Sequence, residues 1–303
     1  MAATTTVEVG GRTLGLSNLQ KVLFPATGFT KGELIDYYAK IADALLPHVQ
    51  DRPVSLKRYP NGVDGQGFFA KNAPNGTPDW VRTALLPAPG STMNRDEVDY
   101  VVADELPTLV WLANLAAIEL HVPQWKVGPR GGVHGPDLLV FDLDPGAPAT
   151  IVECCQVALL LRAELAEDGL TAYAKTSGSK GMQLYAPIKE AGEDAPSAYA
   201  KELAQRLEKR EPKLVISRMR RNLRPGKILI DWSQNNTAKT TVAPYSVRAR
   251  EEQTVSTPVT WDEVEACGTP TDLKFTTDDV LDRVAEHGDL FEPLLATSRP
   301  KLP

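Results

Sequence analysis

The clearest hydrophobic pattern in the chain is a run of four apolar residues, 138–141, that leads directly into two aspartates. Asp142 and Asp144 alternate with a leucine, and Pro145-Gly146 follows them. An apolar run of this length that stops at a Pro-Gly pair predicts a buried β-strand ending at a turn. Because alternate side chains of a strand point to the same face, the two carboxylates share a face, with their Cα atoms about 6 to 7 Å apart.

The other apolar residues recur with a period of two, which predicts strands, or at spacings of three and four, which predicts helices. Strands are predicted at 7–9, 13–16, 52–60, 68–71, 97–102, 118–125, 172–176, 182–185 and 227–232. Helices are predicted as one turn at 19–23 and as longer segments at 30–46, 106–117, 150–167, 198–210, 260–266 and 277–287. Residues 72–89 are rich in Pro, Gly and Asn and are predicted to form a long surface loop.

Composition places the chain among globular proteins. Its 303 residues are 42% hydrophobic, enough for a sizeable core, and the sequence has neither an apolar run long enough for a membrane nor a leader pattern, so a cytoplasmic protein is expected. Three cysteines, two of them adjacent, favour packing over a disulfide framework or a zinc site. The net charge of -6 argues against a protein that coats nucleic acid, but cationic residues outnumber acidic ones between Lys201 and Lys227.

Two carboxylates at the end of an apolar strand repel each other, so that one of them takes up a proton unless a cation lies between them. Hard oxygen ligands of this kind suit magnesium or manganese better than zinc. On these residues alone, a metal site and a solvated Asp-Pro-Gly turn are equally good interpretations. A second apolar strand, 227–232, also contains an aspartate near its end, Asp231.

Basic and aromatic residues are interleaved between residues 57 and 71, a pattern that suits a nucleotide. Lys57, Arg58 or Lys71 would contact phosphate, and Phe68 or Phe69 would stack on a base. The structural alternative is a hairpin with a core pair of phenylalanines.

Three other features suit phosphate binding, and each has a structural alternative. Ser177 and Lys180 lie in a glycine-containing loop that fits either an anion or a plain hairpin turn. His121 lies in an apolar strand and fits either catalysis or a hydrogen-bonded core position. Asn18, Lys21 and Lys31 fall beside predicted helix starts, where such side chains bind phosphate or stay solvated.

Taken together, three strand-end aspartates, a Ser-Lys-Gly loop and flanking basic and aromatic residues fit nucleotidyl transfer. In that chemistry two metal ions, about 3.5 to 4 Å apart, bridge the attacking hydroxyl and the triphosphate, and carboxylates hold them. The protein otherwise contributes positioning and positive charge for the leaving pyrophosphate.

At this point the chain resembles the polymerase module of bacterial ATP-dependent DNA ligase D, a member of the archaeo-eukaryotic primase superfamily. The resemblance includes Val-Phe-Asp-Leu-Asp-Pro-Gly at 140–146 and Thr-Ser-Gly-Ser-Lys-Gly at 176–181. The other matching blocks are 16–28, 57–64, 119–125 and 231–236 followed by 243–248. Six ordered blocks between about residues 18 and 248 make the match specific.

The resemblance implies an α+β fold, a mixed α/β primase-polymerase domain whose catalytic sheet resembles an RNA-recognition motif, flanked by helices and by a second, smaller sheet. It implies one domain over 1–303, with a 5'-phosphate-binding part at 1–60, a catalytic core at 61–250 and a helical part at 251–303. It also implies a monomer that works in the cytoplasm and is associated with the nucleoid when bound to DNA.

Family roles are implied for individual residues. Asp142, Asp144 and Asp231 match the catalytic metal ligands, with manganese, or else magnesium, as the activator. The residues implied around the incoming nucleotide are Lys57, Phe68, Phe69, His121, Ser177, Lys180, Gln234 and Arg248. The implied pocket for a downstream 5'-phosphate is Asn18, Lys21 and Lys31, and Arg224 lies where the family contacts the primer-template end.

The activity implied is template-dependent polymerisation that fills short gaps or extends broken ends in DNA repair, with a preference for ribonucleotides. The implied partners are gapped or broken double-stranded DNA with a 5'-phosphate, NTPs or dNTPs, Ku and a DNA ligase. Two alternatives are a DNA-end-binding scaffold with a weakened active site, acting in end joining, and a metal-dependent phosphoesterase built on the same carboxylates.

The sequence departs from the family's pattern in two places. The family usually reads Ser-Gly-Ser-Lys-Gly-Leu-His-Leu-Tyr, but Gln183 stands where that pattern has histidine. Gln donates hydrogen bonds but carries no positive charge, so weaker nucleotide binding is expected. The hairpin 128–135 is also shorter than in ligase-fused members, and no nuclease or ligase region is present within the 303 residues.

Overall fold

The computed structural model describes residues 4–88 and 96–303. The strands are β1 (Thr4–Val9), β2 (Arg12–Ser17), β3 (Val22–Phe24), β4 (Phe29–Thr30), β5 (Pro53–Arg58), β6 (Phe68–Ala70), β7 (Thr83–Pro87), β8 (Glu97–Val102), β9 (Ala117–Val122), β10 (Leu138–Pro145), β11 (Tyr173–Thr176), β12 (Met182–Pro187), β13 (Val215–Ile216), β14 (Ile228–Asp231), β15 (Thr241–Val242) and β16 (Pro258–Val259). The helices are α1 (Lys31–Lys40), α2 (Ala42–Val49), α3 (Leu106–Asn114), α4 (Ile151–Glu167), α5 (Ala195–Arg210), α6 (Trp261–Ala266) and α7 (Thr277–His287).

The sheet that carries the aspartates has the strand order β13-β14-β10-β12-β11-β16. Strand β10 lies in its middle and pairs antiparallel with β12 on one side and β14 on the other. Leu139, Phe141 and Leu143 point to one face, where they pack in a hydrophobic cluster with α4 and α5. Because side chains alternate along a strand, Asp142 and Asp144 point to the opposite face.

A second sheet has the order β15-β9-β5-β8-β7, with β6 also paired to β5. Helices α1, α2 and α3 contribute to its hydrophobic cluster, together with Ala243, Tyr245 and Val247 from the chain after β15. The resemblance implies a smaller second sheet, but this sheet has six strands, as many as the first. The mixed α+β architecture itself is confirmed.

Several predicted elements are confirmed with their bounds, including the strand at 97–102 and the helix at 277–287. The helical turn predicted at 19–23 is wrong. Asn18 adopts a left-handed backbone conformation with φ 54°, and the amide of Lys21 bonds back to its carbonyl, which makes a turn. After this turn the chain is extended and forms β3. This strand pairs with β4, and its Leu23 and Phe24 are completely buried.

Two other predictions differ from the structure. The helix predicted at 30–46 is two helices, α1 and α2, that meet at Ile41. The loop predicted at 72–89 contains β7, whose Ala84 and Leu86 alternate with exposed residues and pair with β8, while residue 89 lies outside the described residues. The period-two pattern there is only five residues long and is bordered by Pro-rich segments, which obscure it.

Within residues 4–88 and 96–303, no helix combines the length and the apolar character needed to cross a bilayer.

Candidate active site

Strand pairing brings the three aspartates together. Asp142 on β10 lies directly opposite Asp231 on β14, and Asp144 follows two residues later on the same face. Each residue offers a carboxylate oxygen, and these three oxygens lie within 4.8 Å of one another. The two aspartate-bearing strands that the sequence predicts are therefore neighbours, and three acidic ligands converge on one point.

The electrostatics of this cluster favour a bound cation. Burial, and then the charge of Asp144, raise the pKa of Asp142 to about 7. Burial and the charge of Asp231 also raise the pKa of Asp144, while the Arg224 guanidinium opposes this shift. Adjacent carboxylates repel each other when all of them are ionised. A divalent cation bound among them offsets this repulsion. The all-oxygen set of ligands fits Mg²⁺ or Mn²⁺.

Replacing Asp142 by asparagine is expected to stabilise the metal-free protein in a pH-dependent way. The raised pKa means that the folded state holds a proton that the unfolded chain releases near pH 4, so stability falls as pH rises from about 4 to about 7. Asparagine carries no such proton. The Tm of Asp142→Asn should exceed that of the unmutated protein by roughly 5 °C at pH 8 and by little at pH 4. Thermal unfolding at both pH values checks this, with Asp43→Asn, an exposed residue of α2, as the control.

Asp231 is fixed by the turn that follows it. Its carboxylate accepts hydrogen bonds from the Ser233 amide, at 3.0 Å, and from Gln234 Nε2, at 3.2 Å. Gln234, predicted as a nucleotide contact, thus lies beside Asp231 and holds its carboxylate in place. These two hydrogen bonds hold the Asp231 carboxylate in one orientation relative to Asp142.

A buried glutamate that the sequence analysis missed organises the predicted nucleotide residues. Glu119 is 1% exposed and accepts hydrogen bonds from His121 Nε2, at 2.8 Å, and from the Ala249 amide, at 3.0 Å. Arg248 Nε and Lys57 Nζ approach its two oxygens at 3.4 and 3.6 Å. Burial would raise the pKa of Glu119, but His121 and Arg248 more than offset it and lower that pKa to about 2. An ionised Glu119 therefore positions three of the predicted residues.

Phe68 and Phe69 are exposed on β6, at 45% and 58%, so they are not a core pair. The Phe69 ring packs edge-on against His121, with centroids 5.4 Å apart, and Lys57 Nζ lies 5.7 Å from its centre. Arg58 lies over the ring of Phe68. An exposed aromatic face beside cationic groups suits base stacking next to phosphate binding.

The loop between β11 and β12 is joined to this group through Arg248, which donates a hydrogen bond to the Ser177 carbonyl. Gly178 has φ 63°, and a Cβ there would lie 2.6 Å from Arg248 Cγ, so the loop approaches Arg248 only because this residue is glycine. Ser177 Oγ accepts from the amides of Ser179 and Gly181. Lys180 is exposed at the tip of the loop. The side chain of Lys180 gives this loop a positive charge.

Asn18, Lys21 and Lys31 come together where α1 begins. Lys21 Nζ donates to Asn61 at 3.0 Å, whereas Lys31 is buried and its Nζ donates to the Asn114 carbonyl at 2.8 Å. The amides of Lys31 and Gly32 bond to backbone carbonyls of the preceding turn. A phosphate here would therefore be held by side chains, Lys21 first, since the first amides of the helix already have partners.

Arg224 lies close to the three aspartates, near Asp144. Its guanidinium donates to the Met219 carbonyl at 2.7 Å and acts on the Asp144 carboxylate through its charge. A groove lined by Lys201, Arg218, Arg220 and Trp232, among others, adjoins it and has a volume of about 450 Å³. This basic groove next to Asp231 suits a nucleic-acid strand.

The first sheet brings three carboxylates to one point beside cationic and aromatic side chains, an arrangement that suits nucleotidyl transfer. The family described as LigD, primase-polymerase domain, matches residues 30–291. The chain belongs to this family of primase-polymerase domains.

Known relatives agree with this assignment. The chain is 44% identical over 281 residues to the multifunctional non-homologous end joining protein LigD of Mycolicibacterium smegmatis, covering 92% of this chain and 36% of the relative. It is 33% identical to the bifunctional LigD of Bacillus subtilis, covering 91% of this chain and 43% of that protein. The solved polymerase domain of Mycobacterium tuberculosis ligase D in complex with DNA superposes with a TM-score of 0.88 at 41% identity, over 94% of this chain and 99% of that one. The chain thus spans less than half the length of these LigD proteins.

Proposed function

We propose that the protein is a template-dependent primase-polymerase that fills short gaps or extends broken DNA ends and recognises a downstream 5'-phosphate. We further propose two-metal nucleotidyl transfer, with Mn²⁺ or Mg²⁺ and with a preference for ribonucleotides. The observation that carries the proposal is the convergence of Asp142, Asp144 and Asp231 on one point. The arrangement of Lys57, His121 and Arg248 around a buried Glu119 supports it.

In this mechanism, Asp142, Asp144 and Asp231 would hold the metal ions, which when bound neutralise the triphosphate and make the primer's 3'-hydroxyl a better nucleophile. Phe68 or Phe69 stacks on the incoming base. Lys57, Lys180 and Arg248 contact the phosphates and stabilise the charge that develops on the departing pyrophosphate. Arg224 contacts the primer-template end, and Gln234 keeps Asp231 in one orientation.

The names of the relatives support a role in end joining, with Ku and a DNA ligase as partners, and the solved ligase D domain supports contact with DNA. A single domain over residues 1–303 that acts as a monomer in the cytoplasm completes the proposal.

The alternative is an end-binding scaffold with a weakened active site. The observation that favours it is Gln183, which lies next to Asp142 where the family's sequence pattern has a chargeable histidine.

Primer extension on a short-gapped duplex tests the proposal. Either Mn²⁺ or Mg²⁺ is supplied with either ribo- or deoxynucleotides, with and without a phosphate on the downstream 5' end, and both product length and released pyrophosphate are measured. We expect extension with pyrophosphate release, stimulated by the phosphate. Tight gap binding with no extension under either metal would support the scaffold, and hydrolysis of phosphate esters without synthesis would support a phosphoesterase.

Lys21→Ala is expected to reduce the preference for a 5'-phosphorylated gap roughly three- to tenfold, since it removes one charged hydrogen-bond donor. The measurement is the ratio of extension rates on phosphorylated and unphosphorylated gaps. Lys40→Ala, which removes the same charge from an exposed residue of α1, is the control and should keep the ratio. An unchanged ratio in Lys21→Ala would exclude this pocket.

A further inference from the structure

A lysine that the nucleotide site does not use directly is completely buried behind it. Lys175 on β11 is 0% exposed and lies opposite Gln183 on β12, which in turn lies opposite Asp142 on β10. Lys175 Nζ donates to Gln183 Oε1 at 2.7 Å, and Gln183 Nε2 donates to Asp142 Oδ1 at 3.0 Å. A line of hydrogen bonds therefore runs across three strands and ends at a metal ligand.

The direction of this line is fixed by the chemistry of its members. A lysine amine that donates to Gln183 occupies the amide oxygen and leaves the amide nitrogen to face the site. The second acceptor of Lys175, Ser256 Oγ at 2.5 Å, itself donates to the Thr176 carbonyl, so it also needs a donor from Lys175. The Tyr185 hydroxyl, 3.4 Å from Gln183 Oε1, lies on the same side of the amide.

Without Lys175, the Gln183 amide would lose its preference for the orientation that points its nitrogen toward Asp142. The amide of a glutamine can turn over and exchange its oxygen and nitrogen with little change in shape. An amide in the reversed orientation would place its oxygen against the Asp142 carboxylate and would present no donor to an incoming phosphate. Packing alone does not favour a lysine at this position, because burying an amine is unfavourable compared with burying an apolar side chain of similar size.

We propose that Lys175 is a positioning residue that holds the Gln183 amide with its nitrogen toward Asp142 and the phosphates of the incoming nucleotide. Lys175 and Gln183 form a pair in which each side chain depends on the other, since the line of hydrogen bonds from Lys175 to Asp142 passes through the Gln183 amide. The inference rests on the proposed polymerase function, because it assigns the pair to that same site.

The pair makes a prediction about coupling. Leucine at position 183 has no amide to orient, so Lys175 loses both its acceptor there and its connection to Asp142. Lys175→Met should therefore affect the site only while Gln183 is present.

A double-mutant cycle with Lys175→Met and Gln183→Leu tests this. Met keeps a similar length and has no amine. In the unmutated background, Lys175→Met should raise the nucleotide KM roughly tenfold with a smaller change in kcat, as expected for the loss of an oriented hydrogen bond to a charged group. In the Gln183→Leu background, the same Lys175→Met change should leave KM unchanged within about twofold, because no amide remains to be oriented. Mn²⁺ affinity, measured by calorimetry without nucleotide or DNA, should likewise change on Lys175→Met only when Gln183 is present, and thermal unfolding confirms that all four proteins are folded.

An equal change in KM and in Mn²⁺ affinity in both backgrounds would overturn the proposal and leave Lys175 a packing residue. The unmutated chain separates this outcome from a failure of the proposed function. If it binds Mn²⁺ but extends no primer, the polymerase proposal fails, while the Mn²⁺ affinities still decide the role of Lys175. If it binds no Mn²⁺ at all, both proposals are overturned.

Discussion

An Asp144→Ala variant is expected to lose nucleotide addition by roughly 10³-fold or more, a change of about 4 kcal/mol in the barrier, while it binds gapped DNA as the unmutated protein does. Asp144 contributes one of three carboxylate oxygens that lie within 4.8 Å of one another. Its loss removes one ligand from the proposed metal site and leaves the basic groove beside Asp231 intact. Single-turnover extension of a gapped duplex with Mn²⁺, together with an equilibrium DNA-binding titration, measures both properties.

Two further variants make this result specific. Asp144→Asn keeps the shape of the side chain and should be as inactive as the alanine variant, with a Tm at least equal to that of the unmutated protein, because it relieves repulsion by Asp231. Asp43→Asn removes one exposed negative charge from α2 and should leave extension unchanged. Undiminished extension by Asp144→Ala would refute the metal-site assignment, and parallel loss of DNA binding would indicate a wider structural defect.

The second large effect is expected from Glu119→Gln. The substitution leaves Lys57, His121 and Arg248 without their shared buried anion, and breaking a buried ion pair in this way costs roughly 3 kcal/mol of folding stability. We expect the Tm at pH 7 to fall by roughly 5 °C or more and the nucleotide KM to rise at least about tenfold, since the three side chains lose their common position. Glu286→Gln, at an exposed position in α7, is the control.

The stability difference should depend on pH with a defined sign. The pKa of Glu119 is lowered to about 2, so its stabilisation is complete above the unfolded value of 4.5 and is lost as pH falls from there toward 2. Glutamine resembles a protonated glutamate. Thermal or urea unfolding of the unmutated protein and of Glu119→Gln should therefore give values that converge below pH 4.5. A difference that stays constant from pH 7 to pH 3 would show that Glu119 acts only through its shape.

The parts of the site that the sequence predicts are those that local patterns encode. An apolar run into Asp142 and Asp144 specifies a strand, and antiparallel pairing then needs only one neighbouring strand to deliver Asp231. Phe68 and Phe69 left two interpretations open, because two adjacent aromatic residues in a short strand carry no information on which face is buried. Only their exposure in the structure decides against the core pair.

Glu119 and Lys175 could not be predicted because their partners are distant in the sequence. Glu119 lies in the apolar strand β9 and bonds to the amide of Ala249, and Lys175 in β11 bonds to Ser256. Each is a single charged residue in a strand that buries both faces, which a pattern of apolar and polar positions treats as an exception. A signal was present, since a charge in the middle of a buried strand requires a partner.

Arg248 connects the two sheets. One of its nitrogens reaches Ser177, beside the strands that carry the aspartates, and another reaches Glu119 in the second sheet. The seam between the two halves of the molecule is thus the same place at which the triphosphate is proposed to lie. A triphosphate bound there would be held by cations from both halves at once. Its binding is therefore expected to stabilise the contact between the two sheets, so that the nucleotide should raise the Tm of the whole protein.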